Sequence, residues 1–123
     1  MAELNELIER EMCRPFVWGE SDCCCAVCNI LVAMGHDDPM AAHRRGYSDK
    51  AHARVVMAAS MLGVAVREAK RLGWPEIDPD RARDGDIGII DRTLAIFSGG
   101  WWIAKSGGGC ILKRKARRAW RPV

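Results

Sequence analysis

The stretch Phe16-Val17-Trp18-Gly19-Glu20-Ser21-Asp22-Cys23-Cys24-Cys25-Ala26-Val27-Cys28 constrains this chain more than any other. An aromatic, extended segment stops at Gly19 and hands over to a helix that is apolar nearly all round, and such a helix has to be buried on several sides. Ser21 reads as its N-cap, because its hydroxyl can accept from a free amide of the first turn. Asp22 then falls where the helix dipole favours a negative charge. Cys23 lies in the same turn, a position that lowers a thiol pKa and favours the reactive thiolate. The neighbouring Asp22 carboxylate opposes this weakly, since it disfavours a second anion. The helix runs from about Asp22 to Met34, with Gly35 as its stop.

The length of the chain points to one domain built around this centre. Its 123 residues suffice for a core without staples, and 49% apolar with 28% charged residues is ordinary for a globular protein. Residues 1–123 therefore read as a single domain with a basic segment over about 113–123. A formal charge of +3 is too small to imply nucleic acid. Cys23, Cys24 and Cys25 point about 100° apart on a helix and cannot readily pair, which argues against a disulfide scaffold. The acidic start, Met1 to Glu6, lacks a basic region followed by an apolar run, so no secretion signal is expected. Ala26 to Met34 is much too short to span a membrane.

Leu4, Leu7, Ile8 and Met12 recur at helical spacing and predict a first helix ending before Pro15. Beyond the central helix, Ser48 or Asp49 can cap another, with Val55, Val56, Ala59 and Leu62 on its buried face and a break or kink at Gly63. Val64 to Leu72 reads as a further short piece closed by Gly73-Trp74-Pro75. The character then changes. Ile87 to Ile90, Thr93 to Phe97, Trp101 to Ala104 and Cys110 to Lys113 read as strands, with hairpin turns at Gly99-Gly100 and Ser106 to Gly109. Helices first and an antiparallel meander second means α+β.

Asp22-Cys23 at the head of a buried helix, after an aromatic-Gly segment, resembles the NlpC-type cysteine peptidases, papain-like enzymes that cut peptidoglycan peptides. Arg83-Asp84-Gly85-Asp86-Ile87-Gly88-Ile89-Ile90 is similar to that family's Gly-Asp step into the first core strand, and Leu94 to Ile103 to its next hairpin. The resemblance covers about Phe16 to Ile103, with gaps. It is more specific to small phage-tail proteins of the same layout, through the tryptophan-Gly-x-x-Asp-Cys start, Arg45-Gly46-Tyr47-Ser48, the Gly-Asp strand and Ala119-Trp120-Arg121. It implies a papain-like α+β fold, N-terminal helices on a C-terminal meander, with Cys23 as nucleophile beside Asp22. It also implies a place in the virion, at the tail tip, for a protein made in the host bacterial cytoplasm. Other tail-tip proteins are then the expected partners and peptidoglycan a further one, with neither nucleic acid nor membrane involved.

The sequence departs from the peptidase pattern where the base belongs. Those enzymes need a histidine at the head of the second strand to take the proton from the cysteine, and the matching residue here is Thr93. A threonine hydroxyl is no base near neutral pH. The residue that orients the imidazole would fall near Ala104 or Lys105, and neither can orient it. His36 lies roughly 20 Å from Cys23, at the far end of the central helix. His43 and His52 sit in segments whose placement the sequence leaves open.

Cys24, Cys25 and Cys28 read as small apolar filler around the helix. A zinc or iron–sulfur site drawing on them, joined by Cys13 or Cys110, is the alternative, and otherwise no cofactor is expected. Adjacent Trp101 and Trp102 must face opposite sides of a strand, one into the core. Trp101, Trp102 and Trp120, with Arg117 and Arg118 of the basic run Lys113 to Arg121, are the candidate partner-binding residues. The expected function is a tail-tip or tail-assembly component with impaired peptidase machinery. The alternatives are an active peptidoglycan endopeptidase acting during wall penetration and a metal-binding tail connector.

Overall fold

A computed structural model describes residues 3–44 and 61–123 of the chain. In chain order its elements are α1 (Leu4–Cys13), α2 (Cys23–Ala33), α3 (Met61–Leu72), β1 (Glu76–Ile77), a 3-10 turn (Pro79–Arg81), β2 (Ile87–Ile90), β3 (Thr93–Ser98), β4 (Trp101–Ser106), β5 (Gly109–Lys113) and β6 (Ala119–Trp120). The strands form one antiparallel sheet in the order β1-β6-β2-β3-β4-β5. The architecture is α+β, as the order of the sequence patterns predicts.

α1 buries Leu7 and Ile8 and stops where Arg14 turns extended ahead of Pro15, as expected of a residue preceding proline. α2 buries Cys24, Cys25, Ala26, Val27, Cys28, Ile30 and Leu31, so its burial follows its composition on nearly every side. Its end is a Schellman motif: Gly35 has φ +96°, its amide donates to Val32 O at 3.0 Å, and the His36 amide donates to Leu31 O at 2.9 Å. α3 presents Met61, Val64, Ala65, Glu68 and Ala69 to the interior at helical spacing. Within the described residues no break falls at Gly63: the helix Met61–Leu72 includes it and stops at Gly73, whose φ is +73°. A single glycine costs about 1 kcal/mol in a helix, which the buried stripe on this face outweighs. The capping residues Ser48 and Asp49, the Arg45 to Ser48 stretch, the apolar positions Val55, Val56 and Ala59, and His52 lie outside the described residues.

The meander from β2 to β5 has the expected hairpins, with Ile90 opposite Thr93 and Ser98 opposite Trp101. The sheet is covered unequally on its two faces. Ile87, Ile89, Leu94, Ile96 and Trp120 pack with the helices, while Ile90, Ala95, Trp102, Ala104 and Ala119 form a smaller apolar layer on the other side. That layer is closed by Ala82 and Ala116 from the connecting segments. The terminal segment is therefore part of the sheet: β6 inserts between β1 and β2, pairing Trp120 with both Glu76 and Ile87. Arg121 secures it by a two-pronged ion pair to buried Asp86, Nε to Oδ1 at 3.0 Å and a terminal nitrogen to Oδ2 at 2.9 Å.

Candidate functional site

The turn before α2 is assembled by one carboxylate. Asp22, not Ser21, is the N-cap: its Oδ1 accepts from the amides of Cys24 at 3.0 Å and Cys25 at 2.9 Å. Its Oδ2 accepts from the Gly19 amide at 2.7 Å, which ties the preceding loop to the same group. The Ser21 hydroxyl turns away from the helix, donating to Pro15 O at 2.6 Å and accepting from the Val17 amide at 3.3 Å. The sequence expectation is corrected by one residue, because Gly19 with φ +81° closes the turn early enough for Asp22 to take the extended cap conformation. Cys23 becomes the first helical residue.

Cys23 is half-buried, and its sulfur lies 3.8 Å from that of buried Cys24. Its pKa is lowered to about 7. Hydrogen bonding from the Cys24 thiol lowers it most, burial opposes, the adjoining Thr93 hydroxyl lowers it further, and the Asp22 charge raises it. Cys24 moves the other way and stays a thiol, pushed well up by serving as donor to Cys23 and by burial. Cys28 is likewise pushed well up, chiefly by burial, as expected of an inert core residue. Thr93, which the peptidase resemblance would put at the position of the base, has its hydroxyl beside the Cys23 sulfur. The Thr93 Oγ1 atom is buried and makes no hydrogen bond of ordinary geometry.

The described histidines are engaged elsewhere. His43 Nε2 lies 3.2 Å from Glu68 Oε1, and His36 stands edge-on to Trp74. Burial raises the Glu68 pKa, but Arg71 at 2.7 Å and His43 outweigh it and hold the carboxyl below its usual value. Lys105, at the position expected to lack an orienting group, is buried, its ammonium 3.5 Å from Pro15 O. Burial pushes its pKa down.

Of the cysteines weighed as metal ligands, Cys25 and Cys28 are enclosed in the core and Cys110 is exposed on the edge strand β5. Among the described residues these do not converge. The ligand atoms that do lie together, all within 4.8 Å of one another, are those of Asp22, Cys23 and Cys24. Sequence reasoning missed this grouping because adjacent helical residues diverge at the backbone, and only the side-chain conformations bring the two sulfurs back together.

The proposed partner-binding residues divide. Trp102 and Trp120 are buried, 0% and 3% exposed, and offer no docking face. The sheet needs both as core, Trp102 with Phe97 in one layer and Trp120 with the helices in the other. Trp101 is half-buried, with the Arg114 guanidinium 3.7 Å from its ring centroid. Arg118 is committed to Glu76 at 2.6 and 2.7 Å, and Lys113 lies 3.5 Å from Asp91. Lys115 and Arg117 are exposed, with no ion pair among the described residues. A cleft of about 450 Å³ opens elsewhere, between Arg10, Arg14, Asn29 and Arg44, and contains none of the Cys23 site. Its charges are largely spent on one another, Arg14 on buried Glu11 and Arg44 on Asp38.

These features define an α+β domain with a helix-opening, lowered-pKa cysteine, a thiol donor at its side and a threonine facing it. The chain belongs to the family described as a domain of unknown function (DUF6950), whose profile matches residues 1–122. No curated protein matches the chain, and no solved structure does.

Proposed function

We propose that this chain is a phage tail-tip or tail-assembly component built on a papain-like, NlpC-type fold whose peptidase machinery is impaired. One observation carries the reading: Cys23 opens the buried helix with Thr93 beside its sulfur, while His36 and His43 are held by Trp74 and Glu68. On this reading neither described histidine serves Cys23 as base, and a thiolate without a general base forgoes about 10²–10⁴ in rate and has no acid to protonate a leaving amine. The retained polar surface, Trp101 under Arg114 with Lys115 and Arg117 nearby in sequence, suits docking on an acidic partner in an assembly better than chemistry. Removing the terminal segment is no test of docking, since Trp120 and Arg121 hold the sheet. The test is Lys115→Glu with Arg117→Glu, scored by whether the folded chain still co-sediments with assembled tails. Loss of co-sedimentation supports the reading, and undiminished co-sedimentation removes this surface from it.

A second reading rests on the Cys23 pKa of about 7, which leaves a substantial thiolate fraction at neutral pH. On that reading the chain is an active cysteine hydrolase opening peptidoglycan peptides. Fragments released from purified peptidoglycan by the wild type and not by Cys23→Ala would establish it and overturn the impaired reading. No release above the Cys23→Ala background would exclude it.

A further inference from the structure

We propose that Asp22, Cys23 and Cys24 form a binding site for a thiophilic divalent cation, with zinc as the best fit. Two sulfurs bound at about 2.3 Å to one tetrahedral centre lie about 3.8 Å apart. The Cys23 and Cys24 sulfurs stand 3.8 Å apart. They have that spacing with the peptide between them inside a regular first helical turn, so closing on a cation requires no movement of the backbone. The Asp22 carboxylate falls within the same 4.8 Å circle and is held in place by the amides of Gly19, Cys24 and Cys25. Two sulfurs and one carboxylate are a borderline-soft donor set of the kind zinc takes, whereas magnesium and calcium call for oxygen alone.

An independent feature points to a ligand at the same spot. Thr93 is 9% exposed, and its buried Oγ1, lying against the Cys23 sulfur, makes no hydrogen bond of ordinary geometry. A buried hydroxyl left alone costs about 1–3 kcal/mol. A water completing the coordination of a cation held by three protein ligands would give that hydroxyl its partner, as in zinc sites that keep one position open. Half-exposed Cys23 is the entrance, and buried Cys24 and Asp22 are the floor. Binding exchanges two thiol protons for the metal, with no change of oxidation state: Zn²⁺ plus two S–H gives two Zn–S bonds and two released protons. The inference does not depend on the tail or peptidase readings, and a bound cation would occupy the sulfur a hydrolase needs.

The full-length chain, reduced, stripped with chelator and kept anaerobic, is titrated with Co²⁺ and then Zn²⁺. The expected result is uptake of one Co²⁺ per chain with thiolate-to-cobalt charge-transfer absorption, which Zn²⁺ then abolishes. Cys23→Ser, at a half-exposed position, should remove stoichiometric binding while the far-ultraviolet circular dichroism stays native. Thr93→Val should weaken binding about 10-fold, as the loss of an outer partner does. Cys13→Ser and Cys110→Ser should bind like the wild type. No charge-transfer band, or a band that persists undiminished in Cys23→Ser, overturns the site.

Discussion

The sulfurs of Cys23 and Cys24 lie 3.8 Å apart, yet the two thiols titrate in opposite directions, Cys23 down to about 7 and Cys24 well above its ordinary value. The buried Cys24 thiol, whose sulfur also lies 2.8 Å from Met61 Sδ, keeps its proton while Cys23 ionises, so the pair holds a single anion. Only the thiolate alkylates. In metal-free protein, the rate of Cys23 labelling by iodoacetamide should therefore rise with pH to a half-maximum near 7. Cys24→Ala should move that midpoint upward by removing the donor that lowers it most. Mass-spectrometric mapping across pH checks both. A Cys23 profile unchanged by Cys24→Ala would refute the coupling.

Thr93 separates stability from reactivity at one atom. Its buried Oγ1 lacks a hydrogen bond, so Thr93→Val, which keeps the shape, should leave stability unchanged or raise it by up to about 1 kcal/mol, measured at pH 6 where Cys23 is mostly a thiol. The same substitution should raise the pKa of Cys23, because the hydroxyl helps to lower it. Urea melts and labelling profiles read the two effects separately.

Asp22 accepts from three backbone amides, two in the helix and one in the loop before it. Asp22→Ala removes the cap and strands those donors in a buried turn, a loss of about 2–4 kcal/mol. Asp22→Asn should cost roughly half as much, since its one oxygen can still cap Cys24 and Cys25 while its amide nitrogen cannot accept from Gly19. Chemical denaturation midpoints of the two variants give the order.

Gly88 is required by the sheet, not by a turn. A Cβ there would stand 2.8 Å from the Trp102 ring and 2.9 Å from the Arg118 carbonyl. Neither neighbour can retreat: Trp102 is fully buried, and the Arg118 carbonyl accepts from the Ile89 amide at 3.0 Å. Gly88→Ala should cost about 1–3 kcal/mol through overpacking, seen as a lower melting temperature.

Local patterns in the sequence determined the α+β class, the approximate extents of α1 and α2, the hairpins between β2 and β5, and the place of Cys23 in the first turn of α2. Those features rest on interactions between near neighbours, where periodicity, turn glycines and capping residues act directly. The strands β1 and β6 were not legible, because two residues cannot show an alternation: β1 exists only by pairing with β6, and β6 only by pairing with β1 and β2. For the same reason Trp120 and the basic tail read as a surface, although the fold makes Trp120 core and turns Arg118 and Arg121 into clamps on Glu76 and Asp86. The choice of Asp22 over Ser21 as cap lay in the turn at Gly19. The meeting of the Cys23 and Cys24 sulfurs beside an unsatisfied Thr93 lay in how a helix end packs on a strand seventy residues further along the chain. Tertiary structure alone decided these points, because side-chain direction and burial are set by what packs against an element, and a one-dimensional pattern carries that partner's identity only weakly.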